Sequence, residues 1–531
     1  MPARSFPLAL DTVHRNCQRR ENFPRKFAKF HYFSALMSAK TQNERILFGL
    51  KVKQLRQGRG LSFSDLSQSS HLSVSYLNEI EKGKKYPKED KLKALADALG
   101  VGYEQLVSTE LSKSLAPVGE LLQSNFLNEL PLDLFGIELS KVVEIIANAP
   151  VRVGAFISTL LELSRNYALK EENFYFGALR AYLELHNNYF EELEQAVEHF
   201  IRQHEVPASR PISSTLLKQI LEERFGYEIV EDGLDAYPEL LKLRSVFLPK
   251  EKRLLLNSKL TPNQRAFQFG KELGFGFLNI GERANTSSLL RGRAFEEVIN
   301  HSKAIYFSVA LHIPRDPFIQ DMKAFFEKER WDGEAFLAIM KKYDATPEMF
   351  YHRLTNILPR FFGMNKLFFL RFIHDPEKDT FEIDKELHLS RRHHPHGNAL
   401  FEHYCRRWVS LSLLQDLHNM QQEGKYVDTF VRAQRSRYIG TDDEYLCLTI
   451  ARPAYPTPNR NVSVTIGLLM SDELREQVAF YEDPAIQYRE VNNTCERCSI
   501  TDCRERAAPP AVVNKREEWK RIQERLEELN Q

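Results

Sequence analysis

The spacing of apolar residues along this chain changes several times, and each change predicts a different kind of structure. Over residues 45–110 apolar positions recur every three or four residues in short bursts, which predicts five short helices. The first spans about Arg45 to Gly58, with Leu47, Leu50, Val52 and Leu55 on one face and Lys51, Lys53 and Arg56 outside it. The second opens at Ser62-Phe63-Ser64-Asp65, an S-x-x-D capping signal, and continues through Leu66. After a turn at His71-Leu72, Ser73 caps a third helix that runs from Val74 to Glu81 and stops at Gly83. Pro87 introduces a fourth, Lys88 to Leu99, and Gly102 to Val107 supplies a fifth.

Residues 111–210 keep a helical period, in segments such as LSKVVEIIANA and EELEQAVEHFIRQ, and read as a linker or dimerisation region. The prolines Pro207 and Pro211 mark a break. Residues 211–330 then begin with a helix (Leu216 to Phe225), two extended runs (Arg244 to Leu248 and Arg253 to Asn257) and the segment TPNQRAFQFGKELGFGFL. Over residues 331–513, after helices around Met349 to Phe362, the period falls to two. Leu367–Phe372, Thr380–Ile383, Tyr445–Ile450 and Val462–Leu469 read as strands, with a helix from Glu402 to His418. Residues 514–531 read as a charged, solvated terminal helix, and residues 1–44 as a disordered basic segment. The fold class is multidomain, mostly α with an α+β C-terminal half.

Composition narrows the function classes. In 531 residues, 73 Lys+Arg nearly balance 72 Asp+Glu, leaving a net charge of +1. No run approaches the ~18 uninterrupted apolar residues of a transmembrane helix, so no membrane partner is expected. The six cysteines are Cys17, Cys405, Cys447, Cys495, Cys498 and Cys503; three fall within nine positions. That distribution suits a cytoplasmic chain with one local metal or cluster site better than a disulfide framework. Arg4, Arg15, Arg19, Arg20 and Arg25 interrupt the N-terminus, which is not expected to be a secretory signal. The segment before Met37 is expected to be a disordered tail or an overextended start. The neutral total conceals a basic head: Arg45 to Val107 holds 11 basic and 7 acidic residues, a local charge of +4.

In that head Leu66, Leu72, Leu77 and Ile80 are expected to face inward. Ser73, Ser75, Tyr76, Asn78 and Glu79 are left outward, with Val74 at the helix start, as groups able to reach base edges in a major groove. Lys82, Lys84 and Lys85 follow, placed to meet phosphates. The stretch LSVSYLNEIEKGKKYPKEDKLKALADALGV resembles the lambda-repressor-like (XRE-type) helix-turn-helix family at its apolar, Gly and Pro positions. The resemblance implies a five-helix head that binds double-stranded DNA and, as a homodimer, a pseudo-palindromic operator. One departure is Phe63, where the family usually has Gln; a phosphate contact there is not expected.

The segment TPNQRAFQFGKELGFGFL is similar in layout to the H-E-x-x-H helix of the ImmA/IrrE-type zinc peptidases. Their mechanism needs two His four apart as Zn²⁺ ligands and a Glu as general base. Lys271 and Phe275 stand at the two His positions and only Glu272 remains. His301 lies about where the third ligand would fall. The reading is a degenerate zincin-like domain without enzyme activity, with Glu272 as a solvated helix residue.

The C-terminal half is analogous to GAF-like sensor domains. It holds two groups with chemistry. His388, Arg391, Arg392, His393, His394, His396, His403, Arg406 and Arg407 cluster in a short span. Arg391, Arg392, His393, His394, Arg406 and Arg407 can hold an anionic ligand such as a CoA phosphate or an acyl carboxylate, or form a solvated basic loop. The second group is Cys495-x2-Cys498-x4-Cys503, one thiol short of a four-cysteine site; Cys405 is the best fourth candidate, and Cys447 reads as core. Zn²⁺, an iron–sulfur cluster and free thiols all remain open on spacing alone.

The order of parts resembles the short-chain fatty acyl-CoA-responsive regulators of bacterial propionate and acetate metabolism. That order is a helix-turn-helix, a peptidase-like domain, a Cys-before-Trp motif, and a terminal C-x2-C-x4-C with R-x-x-P-P. The resemblance implies a transcription factor that senses acyl-CoA and carries a [4Fe–4S] cluster on Cys405, Cys495, Cys498 and Cys503, with Zn²⁺ as the alternative. The rival classes are a metallopeptidase acting on a repressor and a regulator with structural zinc that senses no metabolite.

Overall fold

The computed structural model describes residues 42–108, 171–286, 295–389, 402–425, 428–455 and 459–529. They fall into two compact units, a head and a body. The head has the five helices expected: α1 Gln42–Gly58, α2 Phe63–Ser70, α3 Val74–Glu81, α4 Glu89–Ala98 and α5 Tyr103–Val107. At the start of α2, Asp65 N–H donates to Ser62 Oγ (3.1 Å) and Ser62 N–H to Asp65 Oδ2 (2.8 Å), closing the capping box. Leu66, Leu72, Leu77 and Ile80 are all buried, as their spacing required, and they pack with Phe48, Val52, Leu92 and Leu95. The buried face of α1 is rotated from the sequence reading: Ile46, Phe48, Leu50 and Val52 are inside, while Leu47 and Leu55 are half-buried. The cause is Gly49, against which α3 lies so closely that a Cβ would stand 2.3 Å from the Ile80 carbonyl oxygen.

The body begins with α6 Glu171–Leu185, α7 Glu191–Gln203 and α8 Ser214–Phe225. Three short strands follow, β1 Glu228–Val230, β2 Ser245–Leu248 and β3 Arg253–Leu256, in the order β1-β3-β2. Helices α9 Pro262–Phe277 and α10 Phe295–His312 cover them, around a core that includes Phe200, Leu217, Leu254, Phe269 and Phe307. Next come α11 Arg315–Phe326, α12 Gly333–Lys342 and α13 Pro347–Phe361.

The second sheet contains β4 Leu367–Asp375, β5 Thr380–His388, β6 Phe430–Tyr438, β7 Glu444–Pro453, β8 Asn461–Leu469 and β9 Gln487–Val491. Their order is β5-β4-β8-β7-β6-β9, antiparallel except for the parallel pair β6 and β9. One face, with Leu367, Phe369, Leu448 and Ile466, shares a core with α11 to α13. The other, with Phe368, Leu370, Phe372 and Cys447, packs on α14 Val409–Gln422. Burial on both faces explains why β8 is inside at every position. Its Gly467 lies under Phe368, whose ring would come within 2.1 Å of a Cβ there. The helix expected from Glu402 starts later, at Val409, because Tyr404 is drawn into an antiparallel bridge with Thr494. After α15 Asp472–Gln477 and β9, the chain ends in α16 Ala511–Leu529, in which no residue is buried.

Two buried ion clusters fasten these layers. Arg353 on α13 grips Glu194 on α7 through Nη1 (2.5 Å) and Nη2 (2.9 Å), and Tyr306 Oη–H donates to the same carboxylate at 2.6 Å. Glu348 on α13 accepts from Arg371 on β4 at 3.1 Å and from Arg452 on β7 at 3.1 and 3.2 Å.

Candidate functional sites

The head presents α3 as its reading element. Tyr76 N–H donates to Ser73 Oγ at 3.2 Å, so the cap is satisfied locally and the first turn stays clear. Val74 is 45% exposed and Ser75 is exposed; Tyr76, Asn78 and Glu79 are half-exposed, while Leu77 and Ile80 are sealed. Lys82, Lys84 and Lys85 are exposed in the following loop. That loop is held against α3 by Lys84 and Lys85 N–H donating to the Glu79 carbonyl at 2.9 and 3.2 Å. All nine residues expected to meet DNA are exposed or half-exposed. The sequence reading missed Lys91 on α4, whose Nζ stands 4.4 Å over the Tyr76 ring and extends the basic rim. Phe63 is accounted for by packing: the Arg56 guanidinium lies 4.2 Å over its ring while pairing with Glu81 at 2.6 Å.

The degenerate metal centre corrects one expectation. Glu272 is not solvated but fully buried. Arg283 binds it through both terminal nitrogens (2.6 and 2.8 Å), Tyr227 Oη–H donates at 3.3 Å, and Lys271 Nζ lies at 3.6 Å. Burial pushes the Glu272 carboxyl up, but Arg283 and Lys271 outweigh it and hold it below its ordinary range. Burial also lowers Lys271 to about 8, with Glu272 opposing and Arg283 reinforcing. His301 does come to this place: its ring meets Phe275 edge-on at 4.9 Å, and its Nε2 lies 3.2 Å from the Ala284 carbonyl. Burial, then Lys271 and Arg283, depress it to about 4, so it is neutral. Arg283 is also stacked 3.8 Å from the Phe275 ring. The zinc implied by this fold does not fit these residues. Phe275 has no donor atom, and two cations already neutralise the carboxylate.

Of the four candidate thiols, Cys405, Cys495 and Cys498 lie near one another at one end of the second sheet, and Cys503 follows in the same loop. The Tyr404–Thr494 bridge brings Cys405 and Cys495 alongside, with Cys405 N–H donating to Asn493 O (3.2 Å) and Cys495 N–H to His403 O (2.8 Å). Cys498 N–H donates to Cys495 O at 3.3 Å. Arg506 braces the loop by donating to the carbonyls of Cys495 (2.8 Å), Cys498 (3.2 Å) and Ile500. Ala507 N–H points at Cys495 Sγ at 3.3 Å. Burial pushes the Cys405 thiol up to about 11, against the amides of Asn492 and Arg407 that favour its thiolate. Cys447 stands in β7, pushed up to about 12 by burial, and belongs to the core as its spacing indicated. Among the described residues, no three His, Cys, Asp or Glu side chains are grouped as ligands of a single metal ion. Cys405, Cys495 and Cys498 are buried and Cys503 is half-exposed, and backbone N–H groups reach the Cys405, Cys495 and Cys503 sulfurs; thiolates so placed fit an iron–sulfur cluster or Zn²⁺.

Beside this loop opens a cavity of about 1100 Å³. Lys378, Arg406, Arg432, Arg489 and Arg506 line it, opposed by Asp379, Glu402, Asp416 and Glu505. Arg406 stacks 4.1 Å from Phe381, and Arg432 pairs with Asp416 at 2.8 Å. Of the residues expected to hold an anion, Arg406 is in this wall. Arg407 is not: its Nε is buried without a hydrogen-bond partner among the described residues. Arg391, Arg392, His393 and His394 lie outside the described residues. Arg432 and Arg489 were missed because they arrive on β6 and β9, strands whose frequent charges conceal their period.

Comparison with known proteins gives two family matches, the second of which runs past the boundary expected at residue 330. The helix-turn-helix domain family matches residues 47–108, and the IrrE N-terminal-like domain family matches residues 222–355. The HTH-type transcriptional regulator PrpR of Mycobacterium tuberculosis is 22% identical over 486 residues, covering 88% of this chain and 92% of PrpR. RamB of the same species, also an HTH-type transcriptional regulator, is 22% identical over 489 residues, covering 87% of this chain and 94% of its own length. A solved Mycobacterium tuberculosis transcriptional regulator aligns with a TM-score of 0.44 at 19% identity, over 63% of this chain and 93% of that one. These homologues are named as transcriptional regulators, which is consistent with a chain that is not an enzyme. The chain joins an XRE-type helix-turn-helix domain to an IrrE-like domain and is homologous, over most of its length, to mycobacterial transcriptional regulators.

Proposed function

We propose that this protein is a cytoplasmic, homodimeric transcription regulator that reads a pseudo-palindromic DNA site and answers to a short-chain acyl-CoA. The observation that carries the reading is the exposed edge of α3, running from Ser73 through Glu79 into Lys82, Lys84 and Lys85. Short and planar polar groups there suit base edges, and the lysines suit flanking phosphates. The cavity supports an effector that carries phosphates or a carboxylate, which would draw Arg406, Arg432 and Arg489 from their present partners Asp379, Asp416 and Glu505. Such a ligand acts only by binding one state of the protein better than the other.

Cys405, Cys495, Cys498 and Cys503 would hold a [4Fe–4S] cluster, which supplies a one-electron redox centre when bound. The support for this reading is the C-x2-C-x4-C spacing together with the Tyr404–Thr494 bridge that brings Cys405 alongside Cys495; Zn²⁺ is the alternative on the same thiols. The chain's own contribution is to bury the sulfurs, aim amides at them and fix the loop through Arg506.

DNA selected by the protein from a random pool provides the test of reading. Tyr76→Ala with Asn78→Ala should abolish the specific gel shift and leave weak non-specific binding; an unchanged shift would overturn the assignment. For the sensor, anaerobic purification should give brown protein with broad visible absorbance, lost in Cys495→Ser. Colourless protein with one zinc would establish the structural-zinc rival. Titration with acetyl- and propionyl-CoA should raise Tm, and Arg406→Ala with Arg432→Ala should abolish the rise.

A further inference from the structure

We propose that the terminal helix α16 is an antiparallel dimerisation element, and that its occupant is the same helix of a second copy of this chain. The proposal is independent of the effector and cluster readings and concerns only the dimer. The helix is rooted in the cysteine loop, where Val512 and Val513 N–H donate to the Glu496 carbonyl at 3.0 and 3.4 Å. Beyond that root it carries Trp519, Ile522, Leu526 and Leu529, which are 58%, 43%, 54% and 76% exposed. Their spacing of three, four and three is the seam of a coiled coil. A merely solvated helix has no need of four large apolar side chains on one line.

Charge identifies what covers them. Residues 511–529 hold five basic and five acidic side chains, so the helix has no net charge. Helices that lie on membranes are instead rich in Lys and Arg. With Trp519 and Leu526 at heptad position a, and Ile522 and Leu529 at d, Glu518 and Arg525 fall at g, and Arg516 and Gln523 at e. A parallel pair would set Glu518 against Gln523 and make no ion pair. In an antiparallel pair g faces g. Placing Trp519 opposite Ile522 of the second copy then sets Glu518 against Arg525, and two-fold symmetry makes that contact twice. The same register covers Leu529 with Val512, and Leu526 with the aliphatic stem of Lys515. Fewer than three heptads make a weak seam, so the dimer should depend on protein concentration and be reinforced when both heads engage one operator.

Sedimentation equilibrium of the full chain without DNA tests this. Glu518→Arg alone and Arg525→Glu alone should each weaken self-association by about tenfold, since each sets two like-charge pairs face to face. Mixing the two variants should restore association at wild-type strength, because one now presents only cations at g and the other only anions. A chain ending at Pro510 should be monomeric while its head still shifts a single half-site. A wild-type chain that is monomeric at all concentrations would overturn the proposal. So would dimerisation unaffected by the truncation, or charge variants that neither weaken nor rescue. Binding of the monomer to phosphatidylserine vesicles through α16 would assign the helix to a membrane instead.

Discussion

Glu272→Gln tests most directly how the old metal centre is now held together. The amide matches the carboxylate in shape, so packing is little changed and the substitution removes charge alone. In the native protein Glu272 meets Arg283 at 2.6 and 2.8 Å and Lys271 at 3.6 Å, with side-chain exposures of 1%, 7% and 3% respectively. Without the carboxylate two buried cations face each other. Breaking a buried pair on one side costs about 3–5 kcal/mol, and here the remaining repulsion adds to it. At roughly 2–4 °C per kcal/mol for 150–250 residues, and less for a larger unit, Tm should fall by at least about 5 °C. Urea denaturation followed by fluorescence, read beside differential scanning calorimetry, measures it. A change under about 1 kcal/mol would show that water reaches Glu272 and would refute the ion-triad reasoning. Lys271 supplies a pH signature for the same argument. Its folded pKa of about 8 lies below the ordinary 10.5. Below pH 8 the ammonium is charged in both states and its burial opposes folding in full. Between about 8 and 10.5 the unfolded chain binds more protons, so stability rises with pH through that window. Lys271→Met should flatten that rise; an identical slope in wild type and variant would mean that the ammonium is not desolvated.

Other consequences follow from separate parts of the molecule. Replacing Lys82, Lys84 and Lys85 with Ala should weaken DNA binding for all sequences alike and reduce the log–log salt slope by about 3; an unchanged slope would place phosphates elsewhere. Gly467→Ala should destabilise the body by about 1–3 kcal/mol, because the Cβ meets the Phe368 ring at 2.1 Å; wild-type stability in urea would mean the sheet yields. Burial raises the Glu348 carboxyl, but Arg452, Arg371 and Arg244 outweigh it and hold it well below its usual 4.5. Glu348→Gln should therefore cost about 3–5 kcal/mol at neutral pH. A depressed carboxylate loses its contribution as pH falls below 4.5, so the gap between variant and wild type should narrow in acid; a constant gap would exclude the charge as its cause.

How much of this was legible in the sequence depended on whether each feature is local. The head was readable almost throughout, because caps, helical period and turn signals act within four residues. The slips there were Leu47, through a contact between α1 and α3 that Gly49 permits, and Arg56, expected outside but buried in its pairing with Glu81. The burial of Glu272 had no local signal. Residues 264, 268, 271 and 272 of α9 are all polar and all inside, since the helix is covered by α8, α10 and the first sheet together. The partner that makes this tolerable, Arg283, lies eleven residues downstream beyond the end of the helix. The same holds for the cysteines. Cys495, Cys498 and Cys503 announce themselves by spacing, whereas Cys405 is brought to them across ninety residues by the Tyr404–Thr494 bridge. Arg432 and Arg489 depended on β6 and β9 pairing in parallel, a contact no hydropathy pattern encodes.

The replaced metal centre and the cysteine loop are connected by an electrostatic argument. At the positions where a zinc peptidase would place a doubly charged ion beside its Glu, this chain sets two cations, Lys271 and Arg283, against Glu272. The ion triad holds this part of the scaffold together, and in the proposed function the cofactor and effector belong to the other end of the body. There Arg506 has two duties at once. It donates to the carbonyls of Cys495, Cys498 and Ile500, and it lines the 1100 Å³ cavity. In the regulator proposed above, an anion that recruits Arg506 must compete with those carbonyls. Ligand and loop then bias one side chain between two arrangements, which is the differential affinity an effector requires. Because coupling is reciprocal, removing the cluster from the wild-type chain should change effector affinity by the same factor by which effector changes cluster affinity. Equal effector affinity with and without the cluster would mean that Arg506 couples nothing and only fills the wall.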